Sequence, residues 1–195
     1  MPDVVIKLGG SLLAHVEQLD IVLDAIAVAS RSRRILVVGG GGPFADVVRD
    51  LDRRVGLTND AAHWMAVLAM DQYAYFLAAR LVGGAIVTTP RDASRVLDAN
   101  GIPVLAPSRW LSEVDPLPHS WDVTGDSIAA WVAGQVHASE LVLVKAPAAS
   151  GADLVDQYFA RVVPPHIVPV IVAAGSAADA LAQLGSGVIP DVAEK

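Results

Sequence analysis

Two glycine-rich turns, each placed between a short apolar strand pattern and a helical pattern, constrain the fold of this chain most strongly. The first turn follows Val4–Leu8 and contains Gly9 and Gly10, and the second follows Ile35–Val38 and contains Gly39–Gly42. Glycine lets backbone N–H groups approach a phosphate closely, and the start of a helix adds partial positive charge there. Two such turns, with a lysine in the first strand, indicate a protein that holds two anionic groups and moves something between them.

Strand and helix patterns alternate along the chain. We predict strands at Val4–Leu8, Ile35–Val38, Ala85–Thr88, Ile102–Leu105, Leu141–Lys145 and Val168–Ala173, with a last short one at Gly187–Ile189. Helical patterns lie at about 16–30, 43–54, 60–81, 91–99, 124–138 and 176–184. This alternation predicts βαβ units in a mostly parallel sheet with right-handed crossovers. Ligands are then expected at the carboxyl ends of the strands, where both glycine turns lie.

The composition fits one domain with a well-buried core. The chain has 195 residues, of which 53% are hydrophobic, and a mean hydropathy of +0.48. No apolar run approaches the roughly 18–20 residues of a membrane span. Parallel strands covered on both faces, together with a large apolar subunit interface, explain the apolar excess better. We therefore expect a homodimer or larger homo-oligomer that has no membrane partner.

The net charge, the cysteine content and the first residues argue against several further classes of protein. The net charge is −7, which argues against a nucleic-acid partner. The chain has no cysteine and therefore neither a disulfide framework nor a thiolate metal site. It enters a strand by residue 3 without a charged segment followed by an apolar signal core, so we expect a cytoplasmic location.

Two of the three lysines lie at predicted strand ends. Lys7 is the penultimate residue of the first strand, just before its glycine turn, and Lys145 ends the strand Leu141–Lys145. A charged residue in a buried strand is costly unless it is paired or bound to a ligand. A structural salt bridge and a phosphate contact both meet that need, and we favour the phosphate contact.

The standard nucleotide motifs do not explain the chain. Gly40-x-Gly42-x-x-Ala45 matches a dinucleotide fingerprint in form, but that motif alone is weak. A dinucleotide-binding oxidoreductase needs an acidic residue at the end of the next strand, whereas Asp60 precedes a helix. The pattern of a P-loop is also absent from the sequence.

Two carboxylates stand four residues apart at a predicted loop-to-helix junction. Either Asp122 or Thr124 could cap the helix, and capping would account for one of the two acids. An aspartate such as Asp126 at the helix start could orient a lysine and a glycine turn, or bind Mg²⁺ through water. No direct metal ligand is predicted.

The predicted helix 60–81 and the segment after residue 106 are rich in aromatic residues. The helix contains His63, Trp64 and Tyr73, which suit core or dimer packing or a wall over an aromatic substrate. The segment 107–123 contains three prolines and two tryptophans and is predicted to be an ordered loop.

Four segments in this order resemble the amino acid kinase family. They are Ile6-Lys7-Leu8-Gly9-Gly10-Ser11, Val38-Gly39-Gly40-Gly41-Gly42-Pro43-Phe44, Asp122-x-x-x-Asp126-Ser127-x-Ala129-Ala130 and Leu141-Val142-Leu143-Val144-Lys145. The resemblance implies an α/β fold, namely a three-layer αβα sandwich with a mostly parallel central sheet. It also implies ATP-dependent phosphoryl transfer to an oxyanion of a small molecule, with Mg²⁺.

The resemblance assigns roles residue by residue. Lys7 matches the lysine that stabilises the transferring phosphoryl group, and Asp126 matches the aspartate that organises the catalytic lysines. Gly9, Gly10 and Ser11 match the turn that holds the ATP phosphates, and Gly40 and Gly41 match the turn on the acceptor side. Asp122 matches a position that contacts the acceptor.

The sequence departs from the family pattern toward the C-terminus. Family members carry a second active-site lysine in a Gly-Met-x-x-Lys segment, which this chain lacks, so Lys145 is expected to take part of that role and to contact the nucleotide. Residues 146–151 also differ from the family pattern. We expect one domain over 1–195, with the acceptor side at roughly 1–125 and a shortened nucleotide side at roughly 126–195.

Segments 61–65, 69–73, 120–124 and 153–159 are similar to the short kinase-like proteins of methanofuran biosynthesis. Those proteins convert the phosphate of an aminomethylfuran alcohol into its diphosphate. The similarity implies an acceptor phosphate at Gly39–Gly42 and Arg49, and a cationic aminomethyl group near Asp71 or Asp122. A furan ring would suit Trp64, Tyr73 or Trp121, and His63 completes the set of residues expected around the acceptor.

Two functions stay open on the residues. One is a small-molecule phosphate kinase that uses ATP and Mg²⁺. The other is a non-catalytic ligand-binding or regulatory protein on the same fold, which the missing C-terminal lysine would permit.

Overall fold

A computed structural model describes residues 1–146 and 154–184 of the chain. Its centre is a six-stranded sheet in which all neighbouring strands are parallel, in the order β3-β4-β2-β1-β5-β6. The strands are β1 (Val4–Leu8), β2 (Ile35–Gly39), β3 (Gly84–Val87), β4 (Ile102–Leu105), β5 (Glu140–Lys145) and β6 (Val170–Ala173). The predicted parallel sheet is confirmed, and the strand predicted at Gly187–Ile189 lies outside the described residues.

Helices connect these strands. They are α1 (Val16–Ala29), α2 (Gly42–Val55), α3 (Asn59–Arg80), α4 (Pro90–Asp98), α5 (Ser108–Val114), α6 (Gly125–Gln135), α7 (Phe159–Val162) and α8 (Ala177–Ala182), with 3-10 turns at Gly10–Ala14 and Ala174–Ser176. Among the described residues, no helix combines the length and the apolar character needed to cross a membrane.

The segment 107–123 differs from the sequence prediction. It was expected to be a loop throughout, but Ser108–Val114 forms α5. The carboxylate of Asp71 accepts hydrogen bonds from the backbone N–H of Ser108, at 3.0 Å, and from its hydroxyl group. Asp71 therefore stabilises the start of α5 from a helix 37 residues earlier, which no local pattern reveals.

Two buried clusters, one on each face of the sheet, make the fold a three-layer α/β sandwich. One joins alternate strand residues such as Val4 and Ile6 to α1, α8 and the second half of α3. The other joins the opposite strand residues, such as Val5, to α5 and α6. Strands buried on both faces account for the high mean hydropathy.

Lys7 lies on the central strand. Its backbone is paired with Val38 of β2 on one side and with Leu143 of β5 on the other. Because hydrogen-bonded strands flank it on both sides, the sheet fixes the position at which this charge enters the site.

Candidate active site

The two glycine turns meet at the carboxyl ends of β1 and β2. The backbone N–H of Gly9 donates to the carbonyl oxygen of Val144 at 2.8 Å, and that of Gly40 donates to the carbonyl oxygen of Leu8 at 2.9 Å. Each turn is therefore tied to the neighbouring strand. Beyond the second turn, α2 begins at Gly42, and the first N–H groups of a helix have no partner within that helix.

Asp126 pairs with both internal lysines. One oxygen of its carboxylate lies 2.8 Å from Nζ of Lys7. Nζ of Lys145 contacts both carboxylate oxygens, at 2.8 and 2.7 Å. All three side chains are largely buried, with exposed fractions of 7% for Lys7, 6% for Asp126 and 13% for Lys145. We call these three residues the Lys–Asp–Lys cluster.

The Lys–Asp–Lys cluster carries a surplus of one positive charge. Burial alone would raise the pKa of Asp126, but the charges and hydrogen bonds of the two lysines outweigh it and lower that pKa. Burial and the charge of Lys7 lower the pKa of Lys145, against the opposing effects of Asp126 and Asp156. A buried site with one unbalanced positive charge suits an anionic ligand.

The start of α6 places Asp126. Thr124 is the N-cap residue, in agreement with one of the two capping alternatives. Asp156, 32 residues later, accepts hydrogen bonds from the Thr124 backbone N–H at 2.9 Å and from its hydroxyl group at 2.7 Å. It also accepts from the Ser127 backbone N–H at 3.0 Å and from the Ser127 hydroxyl group. Because the Thr124 hydroxyl group and the Asp156 carboxylate accept from the first backbone N–H groups of α6, the Asp126 carboxylate is free to bind the lysines.

A cavity of about 680 Å³ opens beside the cluster. Its wall includes Lys7, residues of both glycine turns, and one face of α3. The site residues predicted from the sequence that line the cavity are Lys7, Gly10, Ser11, Gly40, Gly41, Gly42, Arg49, His63 and Trp121. A Cβ atom on Gly125 would lie 3.1 Å from the Cα atom of Gly40 and 3.4 Å from Cε of Lys7, so the absence of a side chain there keeps this end of the cavity compact.

An arginine and a tryptophan form one side of the cavity. The guanidinium carbon of Arg49 lies 4.8 Å from the ring centroid of Trp121, within cation–π range. Arg49 also pairs with Asp46 at 3.0 Å, and the indole N–H of Trp121 donates to Asp52 at 2.8 Å. These contacts join α2 to the loop before α6.

The remaining predicted site residues lie off the cavity wall. Gly9, Lys145 and Asp126 lie directly behind the wall, next to residues that line it. A Cβ atom on Gly39 would lie 3.0 Å from the ring of Tyr73, so Gly39 serves close packing against α3. Asp71 caps α5, Trp64 packs edge-on against His63, and Asp122 is exposed to solvent. Neither Asp71 nor Asp122 is among the residues that line the cavity.

Sequence reasoning missed two residues near the site. Asp156 holds the start of α6, and His119 stacks on His63 with ring centroids 4.0 Å apart. Both contact partners distant in sequence. The only signal for Asp156 was its position within the segment 153–159, which already resembled known proteins, and His119 directly precedes the similar segment 120–124.

The fold and the site together define a class, namely three-layer α/β proteins with a buried lysine–aspartate cluster and two glycine turns at the carboxyl ends of parallel strands. The family model described as "Amino acid kinase family" matches residues 3–146. The chain belongs to the amino acid kinase family.

One relative of known activity is similar in sequence. The chain is 29% identical over 139 residues to [5-(aminomethyl)furan-3-yl]methyl phosphate kinase of Methanocaldococcus jannaschii. The matched segment covers 71% of this chain and 63% of that protein. The chain therefore spans less than two thirds of the length of the relative it matches.

Solved structures agree with the fold. Uridylate kinase from Archaeoglobus fulgidus superposes with a TM-score of 0.70 at 16% identity, covering 93% of this chain and 96% of that one. UMP kinase from Ureaplasma parvum gives a TM-score of 0.58 at 17% identity, covering 77% and 71%. At these identities the likeness concerns the fold alone.

Proposed function

We propose that this protein is a kinase that transfers the γ-phosphoryl group of ATP to the phosphate of a small acceptor, giving a diphosphate and ADP. The proposed acceptor is [5-(aminomethyl)furan-3-yl]methyl phosphate. The observation that carries the proposal is the buried Lys–Asp–Lys cluster, with its surplus positive charge, beside two adjoining glycine turns. Similarity to the relative that acts on this compound supports the choice of acceptor.

The chemistry requires charge stabilisation and positioning. The transferring phosphoryl group spreads negative charge over its equatorial oxygens, and a fixed cation beside them stabilises the transition state. We assign that role to Lys7, with Lys145 contributing a second positive charge from β5. Asp126 orients both ammonium groups. An attacking phosphate oxygen is already ionised near neutral pH, so the reaction needs no general base.

The two turns divide the anionic groups between them. Residues Gly9–Ser11 would hold the ATP phosphates, and Gly40–Gly42 would hold the acceptor phosphate, with Arg49 as a nearby cation. The close approach of the two backbones would bring donor and acceptor phosphates near one another. Trp121 offers an aromatic face at the same wall for a furan ring.

The residues also fit a magnesium ion that is carried by the nucleotide. Both carboxylate oxygens of Asp126 already accept from lysine, and Asp46, the carboxylate on the cavity wall, pairs with Arg49. Such a site suits Mg²⁺ coordinated by substrate phosphates and water, where the ion would offset phosphate charge.

The test is a reaction with ATP, Mg²⁺ and a panel of acceptors. The panel contains the aminomethylfuran phosphate, UMP and the unphosphorylated furan alcohol, and the products are followed by ADP release and ³¹P NMR. We expect a new diphosphate resonance with the furan phosphate and none with the alcohol. If no acceptor raised the rate of ADP formation above the rate without acceptor, the result would instead favour the ligand-binding alternative.

We also propose that the chain forms a homo-oligomer. Helix α3 exposes Leu68 and Tyr75 at fractions of 52% and 62%, at a seven-residue spacing that places them along one side of the helix. Light scattering at micromolar concentration is expected to give at least twice the mass of 20.3 kDa, and a monomer mass would contradict this proposal.

A further inference from the structure

Two histidines stack at the edge of the cavity. The rings of His63 and His119 lie 4.0 Å apart at an angle of 15°, and Trp64 packs edge-on against both. His63 lines the cavity, whereas His119 lies behind it. Each histidine therefore has a different environment, although the two rings touch.

His119 bridges two carboxylates. Its Nδ1 lies 2.6 Å from Asp60, in the first turn of α3, and its Nε2 lies 2.8 Å from Asp115, just after α5. These hydrogen bonds raise the pKa of His119, which favours an imidazolium that donates to both acids. With His119 charged, the group of His119, Asp60 and Asp115 carries a net charge of −1.

His63 stays neutral beside this group. Burial and the charge of His119 lower the pKa of His63, while Asp115 and Asp60 act in the opposite direction. A neutral imidazole has one ring nitrogen that accepts a hydrogen bond. The edge of the cavity therefore combines a neutral imidazole with a net negative charge beside it.

The position of His63 along α3 sets its distance from the reacting groups. Met70 lies next to Gly125 at the Lys7 end, because a Cβ atom on Gly125 would be 3.6 Å from Cε of Met70. His63 precedes Met70 by seven residues, or about 10 Å along the helix axis. The cavity-facing residues between them on this face are Ala66 and Val67, so His63 is the polar group that follows an apolar stretch.

We infer that His63, stacked on His119, accepts a hydrogen bond from a primary ammonium group at the end of the acceptor remote from its phosphate. The inference rests on the proposed function and assigns its acceptor-selecting residue. It also supplies the amine partner that the positions of Asp71 and Asp122 do not provide. His119 acts through His63 and is a positioning residue.

Binding measurements separate this inference from catalysis. We would titrate [5-(aminomethyl)furan-3-yl]methyl phosphate and its analogue with methyl in place of aminomethyl by calorimetry, without ATP. The ratio of the two Kd values measures the preference for the amine. In the native chain we expect a preference of about 10- to 100-fold, the range for a hydrogen bond to a charged group. In His63→Ala we expect the ratio to approach one.

Two conservative variants test how the preference arises. His63→Gln keeps an acceptor oxygen but cannot titrate, so it should retain part of the preference and lose its pH dependence. His119→Gln removes the charge that lowers the pKa of His63, so the loss of preference on acidification should move to higher pH. Glu113→Gln, a charge change at an exposed site on α5, is the matched control.

Other charged groups around His63 could also change the amine preference with pH. Asp60 on α3, Asp115 after α5 and His119 in the following loop are the near groups. Across the cavity stand Asp46 and Arg49 on α2, His15 after the first 3-10 turn, and Lys7 on β1. An unchanged pH profile in both His63→Gln and His119→Gln would assign the titration to one of those other groups and overturn the inference.

The outcomes distinguish the inference from the proposed function. Amine preference in the native chain without phosphoryl transfer would support the inference and contradict the kinase proposal. Equal binding of the two ligands by the native chain would overturn the inference, whatever the turnover. A preference that survives in His63→Ala would overturn it as well.

Discussion

Gly10 and Gly42 approach each other so closely that a Cβ atom on Gly10 would lie 2.1 Å from the backbone nitrogen of Gly42. The obstructing atoms are backbone, which cannot turn aside as a flexible side chain can. The lack of a side chain at residue 10 therefore lets the two glycine turns pack directly against one another.

Gly10→Ala should accordingly separate the two turns. We expect a loss of about 1–3 kcal/mol in the free energy of unfolding, as for other overpacked sites, together with a large fall in turnover. Gly175→Ala is the control, because a Cβ atom there would meet nothing within 4 Å. Equal stability of the two variants in urea denaturation would contradict the close packing.

Lys7→Ala should lower turnover by about 10²–10³-fold, the cost of removing one preorganised group that stabilises transition-state charge. The fold should persist, because Asp126 keeps its contacts with Lys145. Steady-state kinetics and circular dichroism measure the two effects. Near-normal turnover of a folded variant would remove Lys7 from the mechanism.

Asp126→Asn should weaken both folding and turnover. Removing the shared partner leaves two largely buried ammonium groups unpaired, which costs about 3–5 kcal/mol in comparable cases. The pKa of Asp126 is lowered in the folded state, so its contribution is present above its unfolded value of 3.8 and disappears as the pH falls through the folded value. The difference in stability from the native chain, measured from neutral pH down to well below 3.8, tests the sign.

Asp122→Asn controls for the substitution of an acid in the same segment. Because Asp122 is exposed, the free energy of unfolding of Asp122→Asn should stay within about 0.5 kcal/mol of the native value.

The pH–rate profile tests the role assigned to Asp126. If Asp126→Asn abolished a titration step in that profile, general-base catalysis would replace the orienting role.

Asp156→Ala should destabilise the start of α6. It removes the acceptor of hydrogen bonds from Thr124 and Ser127, and loss of a helix cap typically costs about 0.5–2 kcal/mol. Because Asp126 lies in this first turn, we also expect turnover to fall more than nucleotide affinity does. Asp179→Asn, at an exposed site on α8, should change neither quantity.

His119→Gln should change stability most in acid. The pKa of His119 is raised by Asp60 and Asp115, so its contribution is fully present below the unfolded value of 6.5 and is lost as the pH rises through the folded value. The stability difference from the native chain should shrink as the pH rises through that window. Chemical denaturation at a series of pH values measures it, and a difference that grew with pH would contradict a charged His119.

The parts of the site predicted from the sequence depend on neighbours along the chain. The glycine turns at strand ends and the lysines before them are local patterns, and the parallel sheet brings their strand ends together. The association of Asp126 with Lys7 followed from family resemblance. The helix α5 was missed because it has only seven residues and its cap comes from Asp71.

The parts that could not be predicted depend on partners far away in sequence. The sequence analysis expected Asp71 near a bound amine, whereas its carboxylate accepts a hydrogen bond from the Ser108 hydroxyl group. Asp156 reaches back to the start of α6, and Gly39 serves packing against Tyr73. A single sequence shows which residues carry charge, but only the fold decides which of them share a contact.

The pairing of Lys7 with strands on both sides has a consequence for the evolution of such a protein. Lys7 stands in the middle of the sheet, where neighbouring strands restrict any backbone change. The far wall of the cavity consists of side chains from α3 and the loop before α6, which can be exchanged without altering the strand pairing. On the proposed function, substitutions at that wall would change the acceptor while the position of Lys7 stayed the same.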